Sequence, residues 1–223
     1  MIRGTVFRFK NEYYRILDRC KNLEGNKLLV LIHFYYFKLK RKNILAYPNS
    51  IIKGLKNIHT KDILSIGIDY YGFISQKDYT FLNIQGLLKI EGAFSIGRGC
   101  RVLIGPNATC SLYKNSYVSP LTSFIIMHGL FIGEGCAISW NCQFLDEDFH
   151  HIDYDNKQTT KENIITISDK VWIGCNTNIL KGTFLAKGCV VAAGSVVRGR
   201  FEEENCLIGG NPAKVIKRNI SWN

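Results

Sequence analysis

The sequence lacks any apolar run long enough to cross a membrane as a helix. The longest such run, residues 28–37, includes His33 and is well short of the roughly 20 residues that a spanning helix needs. Arg3 and Arg8 stand where a secretory signal would need an uninterrupted apolar core. We therefore expect a protein that does not span the membrane and that stays in the cytoplasm.

The sequence also lacks the features of a disulfide framework. It has eight cysteines but no CxxC pair, and its 223 residues are enough to form a core without covalent crosslinks. With 46% hydrophobic and 21% charged residues, the composition is that of an ordinary globular protein. The cysteines therefore need another explanation, which their spacing provides.

Acidic residues are scarce in the amino-terminal part of the chain. Residues 1–60 contain thirteen Lys or Arg and three Asp or Glu, which accounts for nearly all of the net charge of +11. The rest of the chain is nearly neutral, and segments of such different charge generally differ in function. We therefore predict a separate basic, partly helical segment over residues 1–62. These basic residues match no nucleic-acid reader motif, and no nucleic-acid partner is expected.

A six-residue repeat of aliphatic side chains dominates the rest of the chain. Neither an α-helix nor an ordinary strand has this period, but a flattened coil with an inward-facing residue on each side imposes it. Shorter runs of the same period occupy residues 84–102 and 132–144. The longest run has no gap and consists of Ile167, Ile173, Ile179, Leu185, Val191 and Val197.

Small side chains occupy the fifth position of these hexads. They are Cys100, Ala108, Cys136, Cys142, Thr177, Thr183, Cys189 and Ser195. Five of the eight cysteines, counting Cys110 at an aliphatic position, are therefore predicted to fill the core. Strands of successive coils would pair about 4.8 Å apart. The pattern is weak over residues 63–83 and 103–131, where we expect irregular coils, and we find no hexads in the first 60 residues.

Over roughly residues 84–218 the repeat resembles that of the hexapeptide-repeat acyltransferases. The fold of that family is a left-handed parallel β-helix. The resemblance therefore implies an all-β main domain over residues 63–205, with the small helical segment before it and a short carboxy-terminal helix or tail over residues 206–223. It also implies a homotrimer with active sites between subunits.

A polar stretch breaks the repeat between Phe144 and Ile167. Residues 146–155 contain two histidines and five acidic residues. Imidazole titrates near neutrality and can remove the proton of an attacking hydroxyl, while a nearby carboxylate can fix its tautomer. We therefore expect a catalytic loop over residues 145–163.

The loop and the motifs that follow it narrow the resemblance. With Trp-Ile-Gly from Trp172 and Gly-Asn-Pro-Ala from Gly210, the chain is similar to the branch of maltose, galactoside and nodulation-factor O-acetyltransferases, which polysaccharide O-acetyltransferases share. Through the spacing Asp-x-Asp-x-His, the resemblance implies His150 rather than His151 as the general base, with Asp148 beside it. Trp172 would flank the thioester or donate its indole N–H, although it could also simply pack a coil corner.

The same resemblance implies acetyl-CoA as the acyl donor and places a groove for it along the coils. The residues in family binding positions are Cys175, Ala193, Arg198, Lys214 and Lys217. Cys175 and Ala193 would line the groove, and Arg198 would lie near the pantetheine arm. The two lysines would meet the nucleotide phosphates as point charges, although they could equally lie on a solvated helix face.

Other functions remain open from the residues themselves. An N-acetyltransferase acting on an amino group of a nucleotide-linked sugar would use the same scaffold and donor, and a non-catalytic scaffold would not need the His150 loop. A zinc enzyme like the γ-class carbonic anhydrases is disfavoured, because adjacent His150 and His151 would point in different directions. The single histidines His33, His59 and His128 have no partners in sequence. We therefore predict a metal-free O-acetyltransferase that acts on a sugar or polysaccharide hydroxyl in surface polysaccharide or glycoconjugate biosynthesis.

The basic amino-terminal segment suggests a further partner. The apolar run 28–37 is followed by Lys38, Lys40, Arg41 and Lys42, which is the composition of an interfacial helix beside a basic cluster. Such a segment could make peripheral contact with an anionic membrane surface at its inner face. It could equally bind a neighbouring subunit or an acidic glycan.

Overall fold

A computed structural model describes residue 14, residues 16–21, residue 23 and the ranges 26–69, 72–150 and 163–223. Within these residues the chain winds through three parallel sheets, which we call A, B and C. A helix, α1 (Lys27–Leu39), precedes them, and a 3-10 turn (Leu55–Asn57) lies within the first winding.

The strands are numbered in chain order. Each sheet takes every third one up to β22, and β23 joins sheet A. Sheet A contains β1 (Ile44–Ala46), β4 (Leu64–Ile66), β7 (Phe94–Ile96), β10 (Ser116–Val118), β13 (Ala137–Ile138), β16 (Trp172–Ile173), β19 (Val190–Val191), β22 (Leu207–Gly210) and β23 (Ala213–Lys217). Sheet B contains β2 (Ser50–Lys53), β5 (Thr80–Ile84), β8 (Arg101–Ile104), β11 (Ser123–Ile126), β14 (Gln143–Leu145), β17 (Asn178–Leu180) and β20 (Val196–Val197). Sheet C contains β3 (Ile58–Thr60), β6 (Leu87–Ile90), β9 (Thr109–Leu112), β12 (Gly129–Ile132), β15 (Ile165–Ile167), β18 (Phe184–Leu185) and β21 (Arg200–Phe201).

The winding is a parallel β-helix with a triangular cross-section. Each strand pairs in register with the strand one turn later, so that Ile138 lies beside Ile173, and Ile173 beside Val191. This register stacks the hexad residues on top of one another inside the coil. All six residues of the longest run are completely buried, which confirms the repeat and its inward orientation.

The small residues of the fifth position lie at the corners and contribute a donor as well as a small volume. The Thr177 and Ser195 hydroxyls donate to carbonyls three residues earlier at 2.7 and 2.6 Å. The Cys142 thiol donates to Gly174 O of the next turn at 3.3 Å. Burial raises the pKa of Cys142 to about 11, so this thiol keeps its proton at neutral pH. The five cysteines predicted to fill the core are all buried, which confirms that prediction.

The region 103–131 is regular, and the expectation of irregular coils there is wrong. Strands β8 to β12 follow one another at the ordinary spacing and pair with the turns on either side. The period of six continues there, and its residues stack on Ile90, Ile96 and Val102 of the preceding turn. The buried residues that carry it are Leu112, Val118, Phe124 and Leu130.

The β-helix begins before the boundary predicted near residue 62. Strands β1, β2 and β3 pair in parallel with β4, β5 and β6 and form a complete first turn. Their inward residues Ala46, Ile52, Ile58 and Leu64 also recur every six positions. The basic residues interspersed among them obscure the repeat, so residues 44–62 belong to the coil rather than to a separate segment.

Helix α1 covers the beginning of the coil. The Asn26 side chain caps its start by accepting from the N–H groups of Leu28 and Leu29 at 3.0 and 3.3 Å. Val30 and Phe34, one helical turn apart, are buried in a cluster beside the first turn. Among the described residues, no helix is long and apolar enough to span a membrane.

The carboxy-terminal residues form a strand instead of a helix. Strand β23 turns back and pairs antiparallel with β22 at the edge of sheet A. Lys214 and Lys217 lie on this strand with exposed side chains, so they do not share a helix face. The sequence analysis predicted a short helix or a tail over residues 206–223, and the structure has no helix in this described range.

Truncation of one stacked core residue tests this arrangement. Ile173 is completely buried between two turns, whereas Ile51 on sheet B is 46% exposed. We expect Ile173→Ala to lower the free energy of unfolding by about 2–5 kcal/mol, because it leaves a cavity in a rigid stack. Ile51→Ala is the matched control and should change it by less than about 1 kcal/mol. Equal losses in urea unfolding would contradict the inward assignment of Ile173.

Candidate active site

The polar break leaves the β-helix at the corner between sheets B and C. It starts where β14 ends and returns at β15. The turn before it passes the same corner at residues 127–128, between β11 and β12, and the turn after it does so at residues 181–183, between β17 and β18. Three successive turns therefore bring side chains to this B–C corner.

Asp146 anchors the start of the loop to the preceding turn. Its carboxylate is completely buried and accepts three backbone N–H groups, from Met127 at 2.6 Å and from His128 and Gly129 at 2.8 Å each. A buried carboxylate that is satisfied by backbone donors is held rigidly. Asp146 therefore has a structural role in the Asp-x-Asp-x-His spacing.

Glu147 joins the same turn to the loop backbone. Its Oε2 lies 2.7 Å from His128 Nε2, while its Oε1 accepts the N–H groups of Asp148 at 2.8 Å and Phe149 at 3.3 Å. The hydrogen bond from His128 is the largest cause that lowers the pKa of Glu147 below its ordinary value. Glu147 is therefore ionised at neutral pH and holds the turn that precedes His150.

This turn presents His150 to solvent. Phe149 has a φ of 60°, a left-handed conformation that bulky residues rarely adopt. The N–H of Phe149 bonds to Glu147, and this contact supports that conformation. His150 follows as an exposed residue. His151 and the rest of the stretch 151–162 lie outside the described residues, so the choice between the two histidines stays a prediction.

Asp148 pairs with a lysine from the following turn. Its Oδ2 lies 2.6 Å from Lys181 Nζ, and about half of the Asp148 side chain is exposed. Within the described part of the loop, no hydrogen bond links Asp148 to His150. The predicted orienting role of Asp148 therefore stays a prediction, and the structure adds Lys181 as its partner.

His128, which has no partner nearby in sequence, also belongs to this corner. Its Nε2 contacts Glu147 and lies 3.0 Å from Nδ2 of Asn163, where the loop returns. His128 and Glu147 are nineteen residues apart, which is about one turn of the coil. This spacing is the sequence signal that could have predicted their contact. With Nε2 donating to Glu147, His128 lies in contact with both ends of the loop.

Trp172 lies on a different side of the coil. It points outward from sheet A, donates its indole N–H to Ser139 Oγ at 3.2 Å and lies 6.1 Å from the ring of Trp222. Trp222 in turn donates to Lys170 O at 2.9 Å. A single chain thus keeps Trp172 apart from the B–C corner, and its predicted role at the thioester stays untested.

Three of the residues expected to bind the donor are divided between two corners, while Lys214 and Lys217 lie on β23. Cys175 and Ala193 lie on successive turns at the corner between sheets A and B, where Gly194 N donates to Cys175 O at 2.9 Å. A side chain on Gly174 would meet Ala193 N at 2.6 Å, so these turns need glycine to stack. Arg198 lies exposed before β21, at the B–C corner. In the described residues there is no group of three His, Cys, Asp or Glu that could hold a metal ion.

Comparison with known proteins decides the family. No protein-family model matches the chain. A functionally uncharacterised 24.8 kDa protein of the cps region of Klebsiella pneumoniae is 40% identical over 208 residues, which cover 92% of this chain and 93% of that protein. WbbJ of Escherichia coli K12, named as a lipopolysaccharide biosynthesis O-acetyl transferase, is 44% identical over 148 residues, 62% of this chain and 75% of its own length. The chain belongs to the hexapeptide-repeat acyltransferases.

The solved structures agree with this membership at the level of the fold. AntD of Bacillus cereus is an N-acyltransferase whose structure was determined with dTDP-4-amino-4,6-dideoxyglucose and coenzyme A. It superposes with a TM-score of 0.54 at 14% identity, over 84% of this chain and 89% of AntD. The chain therefore has the left-handed parallel β-helix that the family resemblance implied. Its similarity to WbbJ shows that it is an acetyltransferase.

The carboxylate of Asp146 offers a direct test of how the loop is anchored. Asp146→Asn replaces one acceptor oxygen by an N–H₂ group that faces backbone donors, so we expect a loss of about 1–3 kcal/mol of stability. Amide exchange should accelerate at Met127, His128 and Gly129. Asp78→Asn is the matched control, because among the described residues Asp78 accepts a single N–H, that of Ser75, in a largely exposed loop. Unchanged exchange at the three amides would contradict the anchoring role.

Proposed function

We propose that this acetyltransferase moves the acetyl group of acetyl-CoA to a sugar hydroxyl of a surface polysaccharide or related glycoconjugate, with His150 as the general base. The observation that carries the proposal is the placement of His150, exposed directly after a turn that Glu147 and Asp146 fix to the coil. The similarity to WbbJ, named for O-acetyl transfer in lipopolysaccharide biosynthesis, supports a hydroxyl acceptor.

The proposed reaction needs one proton relay. The acceptor oxygen attacks the thioester carbonyl carbon while the His150 imidazole removes the hydroxyl proton. The tetrahedral intermediate then collapses, the carbon–sulfur bond breaks, and the imidazolium returns the proton to the departing coenzyme A sulfur. The products are an O-acetyl ester and the coenzyme A thiol.

The neighbours of His150 would hold the base in position for this relay. Glu147 fixes the two backbone N–H groups just before it, and His128 fixes Glu147 in turn. Lys181 holds Asp148 two residues from the base, where its carboxylate would set the imidazole tautomer when the acceptor binds. Rigid support of this kind is what a general base needs to meet its substrate in a productive geometry.

We further propose that the active unit is a homotrimer. Trp172 lies on sheet A and His150 follows sheet B, so one chain alone separates the indole from the base. Placing the sheet A face of one copy against the B–C corner of the next would unite them. The same packing would let Cys175 and Ala193 of one copy and Arg198 of another line a shared donor groove, with Lys214 and Lys217 near the phosphates.

Replacement of the base tests the mechanism. We expect His150→Ala to lower acetyl transfer to a panel of sugars by about 10²–10⁴-fold, because proton removal is lost, while acetyl-CoA affinity measured by calorimetry is retained. His33→Ala on α1 is the matched control and should keep wild-type turnover. Undiminished turnover of His150→Ala would refute the role. Turnover confined to amino sugars would instead favour the N-acetyltransferase.

The thiol of Cys175 reports on the donor groove without an activity assay. Seven of the eight cysteines are buried and Cys175 is partly exposed. We expect one thiol to react quickly with an aromatic disulfide reagent in the native protein, and all eight after unfolding. Coenzyme A should slow the fast thiol at least several-fold by covering it, and Cys175→Ala should abolish the fast phase. A fast phase that coenzyme A leaves unchanged would place the donor elsewhere.

A further inference from the structure

Helix α1 carries an apolar face that the described part of the chain leaves in solvent. Val30 and Phe34 point into the core, and the opposite side of the helix is exposed. The exposed apolar residues are Leu28, Leu29, Ile32, Tyr35, Tyr36 and Leu39. At 100° per residue they fall within about one third of the circumference, centred opposite the buried side. We call these six residues the apolar stripe.

The apolar stripe lies in a segment without acidic residues. Between Glu24 and Asp62 there is no Asp or Glu. Eight cations occur in that interval, namely Lys27, Lys38, Lys40, Arg41, Lys42, Lys53, Lys56 and Lys61. An exposed apolar patch marks an interaction site, and the concentration of one charge beside it favours a partner that is both apolar and anionic.

The end of α1 fixes the cations relative to the stripe. Arg41 adopts a φ of 57°, its N–H donates to Lys38 O and that of Lys42 to Phe37 O, both at 2.9 Å. This pair of bonds with a left-handed residue is a Schellman ending, which stops the helix in a defined geometry. The basic side chains therefore follow the exposed Leu39 directly and in a fixed position.

A basic groove continues from that point. Arg41 and Lys42 line it together with His59, Lys61 and Lys89, and its acidic residue Glu91 is paired with Lys61. The groove thus has a net positive charge where the helix ends. Anionic headgroups could enter it while the stripe lies among acyl chains.

We infer that α1 and this groove form a docking surface for an anionic lipid bilayer. A 13-residue helix about 20 Å long, with an aliphatic and tyrosine face and lysines at its end, fits the interfacial position in which the apolar side is buried at the headgroup boundary. A second copy of the chain fits less well, because self-association through the stripe would bring together two copies of the basic cluster that follows Leu39. The inference does not depend on the acetyl-transfer proposal.

Vesicle flotation with the full-length chain tests this surface. We expect binding to vesicles with about one third phosphatidylglycerol at low salt, little binding to pure phosphatidylcholine, and release at about 1 M salt, where the Debye length falls to about 3 Å. Ile32→Glu combined with Leu39→Glu should abolish flotation, whereas Ile51→Glu, an exposed isoleucine on sheet B, should not. Lys40→Glu should weaken partitioning about tenfold or more, and Lys187→Glu, far along the coil, should have little effect.

Several results would overturn the inference. Wild-type protein that stays soluble with anionic vesicles at low salt would do so, as would flotation that the stripe variants leave unchanged. If Ile32→Glu with Leu39→Glu lowers the oligomer mass in analytical ultracentrifugation without lipid, the stripe contacts a second copy instead. Thermal unfolding checks that the variants are folded. Turnover with a soluble acceptor should stay normal in them, which separates this test from that of His150.

Discussion

Every turn of the coil bends at three corners, one between each pair of sheets. At each corner the backbone must change direction while it stays hydrogen-bonded to the turns before and after it. Small residues such as Thr177, Ser195 and Cys142 meet this need, because they fit inside the bend and donate to a carbonyl that the bend would leave unpaired. Since the turns are stacked in register, the same solution recurs at each corner, and a larger residue would disturb three turns at once.

The candidate site follows from this constraint. An insertion can leave the stack only where the chain already turns, and the polar loop leaves at such a corner. The backbone of the preceding turn then loses the partners that an uninterrupted turn would supply. Asp146 replaces them by accepting three N–H groups with one carboxylate. In the same way, the Glu147 carboxylate accepts the N–H groups of Asp148 and Phe149 in the loop. The site therefore rests on carboxylates that act as substitutes for strand pairing.

The sequence predicts the stack better than it predicts the site. A period of six is visible in one dimension because every turn repeats it, and the buried run from Ile167 to Val197 follows it without a gap. Contacts between turns have no such signature. His128 and Glu147 are nineteen residues apart and meet only because the coil brings them to one corner. The basic composition of residues 1–60 led to a wrong domain boundary near residue 62. The lysines around Ile52 and Ile58 point outward from a regular first turn, so a change in surface composition does not mark a change in fold. Trp172 and His150 show a third limit, because a motif gives the residues of a site without saying whether one chain can assemble it.

The two ends of the coil are covered by different elements, so the two ends of the molecule are not equivalent. The first turn is covered by α1 with its cations, and the last is closed by the antiparallel strand β23, which leaves no parallel edge of sheet A open there. The loop with His150 leaves from the fifth turn, counting three strands to each turn. At about 4.8 Å per turn, the base therefore stands roughly 20 Å along the axis from the turn on which α1 packs. If α1 lies on a bilayer and the coil axis is perpendicular to it, an acceptor anchored in the same lipid would need to extend about that far to reach the base.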